Sequence, residues 1–120
     1  MVDDEEIVRK TVQQSLARYG CEVLLAENGA RGLEIFRRDS GRIRCVVLDM
    51  TMPVMSGEET LVRMKSLHAD VPIILSSGYS EAEATKRFAG KGLAGFLQKP
   101  YKAENLARAV KQVLNRVEQA

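Results

Sequence analysis

The sequence predicts an α/β protein built on one doubly wound parallel sheet. Short apolar segments alternate along the chain with longer segments in which apolar residues recur every three or four positions, the spacing of helices that bury one face. The apolar segments at 43–48 and 71–75 are nearly continuous, as expected for strands that helices cover on both faces. Right-handed crossovers between such strands give a sandwich with helices on both sides of the sheet.

The first strand is predicted to be very short. Only Met1 and Val2 precede the acidic pair Asp3-Asp4, whereas a strand usually contains about five residues. We therefore expect a first strand that is truncated at its N-terminal end.

The next three elements are predicted to be a helix, a strand and a second helix. The first helix covers residues 5–19 and ends at Gly20, because apolar side chains recur there at helical spacing, at Val8, Val12, Leu16 and Tyr19. A short β-rich segment follows at 21–26. The turn pair Asn28-Gly29 then introduces a helix over 30–38, which carries Leu33 and Phe36.

The middle of the chain is predicted to contain two strands that flank a helix. The strand at 43–48 delivers Asp49 to its end, and the chain breaks soon afterwards at Pro53. Ser56 can cap a third helix, whose apolar face carries Leu61, Met64 and Leu67. The segment 71–75 forms the following strand.

The last third of the chain is predicted to contain two helices around one strand. A weakly amphipathic helix covers 81–88 behind Ser80, and a strand covers 95–98. A final long helix is striped by Leu106, Val110, Val113, Leu114 and Val117. Because this helix takes up the remaining residues, we expect no DNA-binding or enzymatic output domain within this chain.

Length and composition indicate one ordinary globular domain over residues 1–120. The chain is 45% hydrophobic and 28% charged, which is typical of such domains. The net charge of +2 and the lack of a basic run argue against nucleic-acid binding. No apolar stretch approaches the length of a membrane span and no signal peptide opens the chain. We therefore expect a cytoplasmic protein without a membrane segment.

The cysteines and the histidine are predicted to have no catalytic role. Cys21 and Cys45 both fall in predicted strands, and we interpret them as small buried apolar residues of a reduced protein. His68 is the sole histidine and lies in a polar stretch. A solvated position is expected for it, so histidine metal sites and catalytic triads are disfavoured.

Chemically active side chains follow four of the predicted strands. Asp3-Asp4, Asp49, Ser77 and Lys99 each come directly after a strand or close behind it. Because the carboxyl ends of parallel strands share one edge of the sheet, these side chains are expected to converge there. Each feature alone has a simpler explanation as a helix cap, a turn or a loop. Their joint occurrence at strand ends favours a functional site.

The predicted cluster is suited to binding Mg²⁺ and a phosphoryl group. Three neighbouring carboxylates repel one another unless a cation lies among them, and Mg²⁺ prefers oxygen ligands and phosphate. A lysine ammonium and a serine hydroxyl can bind phosphoryl oxygens. A carboxylate can also act as the nucleophile and form an aspartyl-phosphate.

At these residues the chain resembles the receiver domains of two-component response regulators, over essentially its whole length. The resemblance implies a flavodoxin-like sheet of five parallel strands in the order 2-1-3-4-5 with five helices. It is carried by the acidic pair Asp3-Asp4, the segment 49–57, Ser77-Gly78 and Lys99-Pro100-Tyr101.

The resemblance also implies a role for each site residue. Asp49 would accept the phosphoryl group, with Ser77 and Lys99 as its catalytic partners. Asp3, Asp4, Asp49 and the backbone carbonyl of Thr51 would bind Mg²⁺, with Asp4 rather than Asp3 as the direct ligand of the acidic pair. Ser77 and Phe96 would form the switch, Thr51 and Tyr79 would flank the hydrolytic water, and the Lys99-Pro100 peptide bond would be cis.

The implied partner is a sensor histidine kinase or a histidine phosphotransfer domain, which would supply the phosphoryl group. The chain would then be a phosphoacceptor that dephosphorylates itself slowly, not a turnover enzyme. The segments 77–81 and 98–101 are most similar to receivers fused to hybrid sensor kinases. A weak homodimer is one assembly state left open.

Three other functions are weighed against this one. A haloacid-dehalogenase-like hydrolase needs a second Asp two residues after its nucleophile, where this chain has Thr51. A P-loop NTPase needs a GxxxxGK[ST] motif, which is missing from the sequence. A degenerate receiver that acts as a phosphorylation-independent interaction module is the alternative that remains.

Overall fold

A computed structural model describes residues 1–39, 41–50, 55–88, 90 and 92–119. From the third element onward, strands and helices alternate as the sequence predicts, whereas the predicted strands at 1–2 and 21–26 appear only as isolated bridges. In chain order the elements are α1 (Glu6–Ala17), α2 (Gly29–Asp39), β1 (Val46–Asp49), α3 (Gly57–Leu67), β2 (Ile73–Ser77), α4 (Glu81–Arg87), β3 (Gly95–Gln98) and α5 (Ala103–Gln119).

The sheet is parallel, and its order agrees with the predicted one. β2 lies between β1 and β3 and pairs in parallel with both. Val2 forms isolated parallel bridges to Ala26 on one side and to Leu48 in β1 on the other. The segment around Val2 therefore lies between the segment that ends at Ala26 and β1. This arrangement is the doubly wound order 2-1-3-4-5, so the predicted fold class is confirmed.

Two strands are shorter in the structure than the sequence predicts. The predicted strand at 21–26 contributes a single bridge at Ala26, and β1 begins at Val46 instead of residue 43. Among the described residues, Val2 bridges the first segment at Ala26 and β1 at Leu48, while the ladder between β1 and β2 begins at Val46 and Ile73.

The core has two layers, one on each face of the sheet. One layer packs side chains of α2 and α3 against the sheet and contains Leu33, Phe36, Leu61, Met64 and Phe88. The other packs α1 and α5 against the opposite face and contains Val12, Leu16, Leu106, Val110 and Val113. Neighbouring strand residues divide between the layers, with Leu48 and Leu75 in the first and Val47 and Ile74 in the second.

Some predicted core positions are wrong. Tyr19 is 60% exposed and Leu67 is 49% exposed, because α1 ends at Ala17 and Leu67 is the last residue of α3.

Cys21 and Cys45 are half-buried free thiols outside the strands. His68 is exposed, as predicted. The side chain of Val117 lies outside those that the structure describes.

The helices α3 and α4 each begin behind a serine that caps them. Ser56 accepts a hydrogen bond from the Glu59 amide at 3.2 Å, and Ser80 accepts one from the Glu83 amide at 3.2 Å. Each serine satisfies an amide that the first turn of a helix leaves unpaired. Among the described residues, no helix combines the length and the apolar character that crossing a membrane requires.

Candidate functional site

The predicted site residues meet at the carboxyl edge of the sheet. Asp49 is the last residue of β1 and Ser77 the last of β2, while Lys99 follows β3 directly. Asp3 follows the bridging residue Val2. Chain direction thus delivers these side chains to one edge, as parallel strands require.

Two of the carboxylates are removed from solvent. Asp3 is fully buried and Asp49 is 3% exposed. Asp3 Oδ1 accepts a hydrogen bond from the Glu5 amide at 2.9 Å, in a turn that leads into α1. The Arg9 guanidinium donates to the Asp3 carbonyl oxygen at 2.8 Å. The Asp49 amide donates to the Val2 carbonyl at 2.9 Å, so backbone contacts fix both residues.

The Lys99 ammonium lies between these carboxylates. Its Nζ is 3.1 Å from Asp3 Oδ2, 3.2 Å from Asp49 Oδ2 and 3.5 Å from Glu5 Oε1. Burial alone would lower the pKa of Lys99, but the hydrogen bond to Asp3 and the charges of Asp3 and Asp49 raise it well above its usual value. The lysine is therefore charged at neutral pH and compensates two buried carboxylates.

The acidic residues fit a magnesium ion. Carboxylate oxygens of Asp3, Asp4 and Asp49 all lie within 4.8 Å of one another. Mg²⁺ prefers oxygen ligands and is commonly bound by one or two carboxylates, so this cluster offers the kind of ligands that the ion takes. Asp4 is exposed, so this side of the cluster opens to solvent.

Gly57 brings α3 against the end of β1, directly behind Asp49. A Cβ atom at this position would lie 2.5 Å from Met50 Cα, so a larger residue cannot be accommodated without a backbone shift. The Gly57 amide donates to the Met50 carbonyl at 2.9 Å. The glycine thus keeps the chain after Asp49 close to the helix.

The β2 end of the site carries two buried serines. Ser77 Oγ accepts a hydrogen bond from the Tyr79 amide at 3.0 Å, and the hydroxyl is buried. Ser76 is also buried, and its hydroxyl has no hydrogen-bond partner within the described ranges. Tyr79 is 45% exposed. Phe96 is half-buried and packs against the core layer of α2 and α3.

The turn after β3 joins the lysine to β2. The Lys99 amide donates to the Ser77 carbonyl at 2.7 Å, and the Lys99-Pro100 peptide bond is cis, as expected. The following residue, Tyr101, has a buried hydroxyl without a hydrogen-bond partner in the described part of the chain. Burial, followed by the charge of Asp3, raises the pKa of Tyr101 to about 12.

Two residues that support this site were not predicted from the sequence. Glu5 and Arg9 contact Lys99 and Asp3, respectively. The spacing of Glu5 two residues after Asp3 was the available signal, because an Asp side chain often accepts from the amide two positions on. Thr51, the predicted carbonyl ligand and one of the two water-access residues, lies outside the described residues, as does Pro53.

A comparison with protein families agrees with this geometry. A family model described as "Response regulator receiver domain" matches residues 1–111. Among curated proteins, the chain is 31% identical over 116 residues to the chemotaxis protein CheY of Bacillus subtilis, and the match covers 96% of this chain and 95% of that protein.

Longer relatives also match. The sensor kinase CckA of Brucella abortus is 34% identical over 97% of this chain, and the autoinducer 1 sensor kinase/phosphatase LuxN of Vibrio harveyi is 33% identical over 97%. The chain spans 12% of the length of CckA and 13% of that of LuxN.

Solved structures show the same architecture. A response regulator receiver domain protein from Clostridium thermocellum superposes with a TM-score of 0.89 at 29% identity, covering 98% of this chain and 94% of that one. The chemotaxis protein CheY4 of Vibrio cholerae superposes with a TM-score of 0.83 at 31% identity, covering 94% of each chain.

Proposed function

The chain belongs to the response regulator receiver domains of two-component systems, and from this membership we propose that Asp49 is its phosphoacceptor. Phosphorylation-based signalling is the function of the family. The observation that carries the assignment is the position of Asp49. It ends β1 as a buried carboxylate, shares a cluster with Asp3 and Asp4, and lies 3.2 Å from the Lys99 ammonium.

The proposed donor is a phosphohistidine on a sensor histidine kinase or on a histidine phosphotransfer domain. Receiver domains as a family interact with such partners. Two relatives are named as sensor kinases, and the match covers a small part of each. We also propose that the protein is located in the cytoplasm and that the receiver domain spans all of residues 1–120.

The proposed reaction moves a phosphoryl group from an imidazole nitrogen to a carboxylate oxygen. An Asp49 oxygen forms a bond to phosphorus, the phosphorus–nitrogen bond breaks, and its electron pair stays on the imidazole. Lys99 Nζ already lies at hydrogen-bond distance from Asp49 Oδ2. From there it can donate to an oxygen of the incoming group and offset its negative charge.

The acidic residues hold the metal in this proposal. Asp3, Asp4 and Asp49 would be the carboxylate ligands, with Asp4 on the exposed side and the carbonyl of Thr51 as a further ligand. Bound Mg²⁺ would supply positive charge for the phosphoryl oxygens. Asp3 is restrained by the Glu5 amide and by Lys99, so its carboxylate is oriented before a ligand arrives.

The proposed switch couples Asp49 to the surface around β3. Ser77 Oγ accepts a hydrogen bond from the Tyr79 amide at 3.0 Å. On phosphorylation, the hydroxyl would break this bond and donate to the phosphoryl group instead. Phe96, half-buried against the core, would then turn further inward. Movement of these two residues would change the surface formed by α4, β3 and α5. Phosphorylation would thereby shift the equilibrium between two conformations of this region.

Labelling with a small phosphodonor tests whether the chain is a phosphoacceptor at all. The protein is incubated with acetyl phosphate and Mg²⁺, and its intact mass is measured. We expect one added phosphoryl group that requires Mg²⁺. A protein that folds and binds Mg²⁺ but never gains the group would be a phosphorylation-independent interaction module.

A further inference from the structure

The Lys99 ammonium is surrounded by as many carboxylates as it has N–H donors. A lysine side chain offers three donors and no acceptor. Its Nζ lies 3.1 Å from Asp3 Oδ2, 3.2 Å from Asp49 Oδ2 and 3.5 Å from Glu5 Oε1. In the proposed reaction, the same ammonium donates to an oxygen of the incoming phosphoryl group. That oxygen therefore has to compete with one of the three carboxylates.

Glu5 is the carboxylate that can leave the lysine most easily. Asp3 is fully buried and Asp49 is 3% exposed, whereas the Glu5 side chain is 61% exposed. Against the effect of burial, the hydrogen bond to Asp3 and the charges of Asp3 and Asp49 raise the pKa of Lys99. A buried carboxylate that lost the lysine would be left without compensation. Glu5 would instead be hydrated by solvent, because an exposed ion pair contributes little to stability.

The side chain of Glu5 does not cap the helix that it introduces. Glu5 is the N-cap residue of α1, and its side chain forms no capping hydrogen bond with the described first turn. Glutamate is not among the residues that cap helices well. The Glu5 amide donates to Asp3 Oδ1 at 2.9 Å, which fixes the backbone at this position. The backbone thus keeps the Glu5 carboxylate beside Lys99, where it is not needed for helix formation.

Glu5 also adds negative charge on the open side of the lysine. Because Asp3 and Asp49 are buried, a phosphoryl donor reaches Lys99 from the side on which Glu5 is exposed. Glu5 is not a member of the carboxylate cluster that suits Mg²⁺, so its charge is not one that this cluster would neutralise on binding the ion. The Glu5 carboxylate repels a donor with two negative charges more strongly than a donor with one.

We propose that Glu5 is a specificity-determining residue that selects phosphoryl donors of low net negative charge. The inference rests on the proposed function, because it concerns the donor of the same phosphoryl transfer. Before the donor arrives, Glu5 occupies the exposed side of Lys99, and a phosphoryl oxygen then takes its place. A phosphoryl group on a protonated imidazole carries one net negative charge, whereas an acyl phosphate carries two near neutral pH. The acyl phosphate is therefore the donor that Glu5 disfavours.

Two small donors that differ in charge test the proposal. Acetyl phosphate releases acetate and carries two negative charges near neutral pH, whereas phosphoramidate releases ammonia and carries one net negative charge. Glu5→Gln keeps the size of the side chain and removes its charge. With saturating Mg²⁺, we expect this variant to raise the ratio of the labelling rates, acetyl phosphate over phosphoramidate, about threefold. High salt should reduce the rise, because it screens exposed charges.

Glu6→Gln is the matched control. Glu6 is the next residue and is similarly exposed, but its carboxylate pairs with Lys10 at 3.0 Å. The variant removes the same charge one position away and should leave the ratio of the rates unchanged. An equal rise in both variants, or no rise in Glu5→Gln, would overturn the proposal while labelling still supports the proposed function. If neither donor labels the unmodified protein, the proposed function fails and this inference fails with it.

Phosphate binding provides a measurement that does not depend on phosphoryl transfer. Inorganic phosphate is titrated into each variant in the presence of Mg²⁺, and the chemical shift of the Lys99 amide is followed by NMR spectroscopy. We expect Glu5→Gln to bind phosphate about threefold more tightly than Glu6→Gln, because phosphate no longer has to displace a charged partner from Lys99. Equal affinities would contradict the displacement of Glu5.

Discussion

Lys99 Nζ lies 3.2 Å from Asp49 Oδ2, although the strands that carry these two residues are not neighbours. β2 lies between them, and the Lys99 amide bonds to the Ser77 carbonyl at the end of β2. The long lysine side chain crosses the end of the middle strand to reach the carboxylate. One cation thereby joins the ends of β3 and β1, and it contacts Asp3 as well.

Replacing this lysine should destabilise the protein when Mg²⁺ is absent. Lys99→Met leaves Asp3 and Asp49 without the cation that compensates them. We expect a loss of about 2 kcal/mol in the free energy of unfolding, less than for a fully buried pair because the Lys99 side chain is 21% exposed. Urea denaturation with and without Mg²⁺ measures the loss, and saturating Mg²⁺ should reduce it. Lys102→Met, at an exposed position, is the control. Equal effects of the two variants would contradict this role for Lys99.

Mg²⁺ should bind weakly in the absence of a phosphoryl group, because the protein supplies only some of the six octahedral ligands. Asp4→Ala removes an exposed carboxylate of the cluster and should lower the Mg²⁺ affinity about tenfold or more. Glu5→Ala removes a carboxylate near Lys99 and should have a much smaller effect. Calorimetric titration of both variants measures the difference. Similar losses would mean that the acidic pair is not the metal site.

The order of the elements and the site edge could be predicted because they depend on local pattern and chain direction. Asp49, Ser77 and Lys99 follow apolar segments, and parallel topology alone brings such positions together. The contacts of Glu5 and Arg9 could not be predicted with the same certainty. The Glu5 contact depends on how the start of α1 packs beside Lys99, which is far away in the chain. The Arg9 contact depends on how its side chain folds back to the Asp3 carbonyl, six residues earlier.

The errors of prediction have equally specific causes. Tyr19 and Leu67 continue the helical spacing of their neighbours, but each lies at or beyond a helix end, where the buried face no longer continues. The segment 21–26 has the composition of a strand. In the structure, strand pairing there is limited to the bridge between Ala26 and Val2, because composition alone does not decide pairing.

Stability should fall at alkaline pH because of Tyr101. Its pKa is about 12 in the folded protein and about 10 when unfolded. Between these values the unfolded chain loses the hydroxyl proton while the folded chain keeps it, so stability decreases as pH rises from 10 to 12, by about 2 kcal/mol. Tyr101→Phe should remove this part of the decrease. Tyr19→Phe, at an exposed tyrosine, should not. Thermal unfolding at pH 8 and pH 11 compares them, and identical pH dependence in both variants would refute the assignment.

The phosphorylated state should be long-lived. Water must attack phosphorus opposite the Asp49 oxygen, and neither Thr51 nor Tyr79 carries an amide or carboxylate that could orient it. The double variant Thr51→Asn with Tyr79→Glu should lose the phosphoryl group about 10-fold faster, equivalent to ~1.4 kcal/mol of barrier. Decay in excess Mg²⁺ is followed by intact mass, with Tyr19→Glu as the control. A double variant that decays no faster would show that water access is controlled elsewhere.

The identity of the phosphoacceptor is the central claim, and site-specific labelling tests it most directly. Asp49→Asn keeps the size of the side chain but removes the nucleophilic carboxylate, whereas Asp70→Asn makes the same change at an exposed position. Both proteins are incubated with acetyl phosphate and Mg²⁺ after their thermal unfolding has shown that they are folded. We predict that Asp70→Asn gains one phosphoryl group and that Asp49→Asn gains none. Undiminished labelling of Asp49→Asn would contradict the assignment.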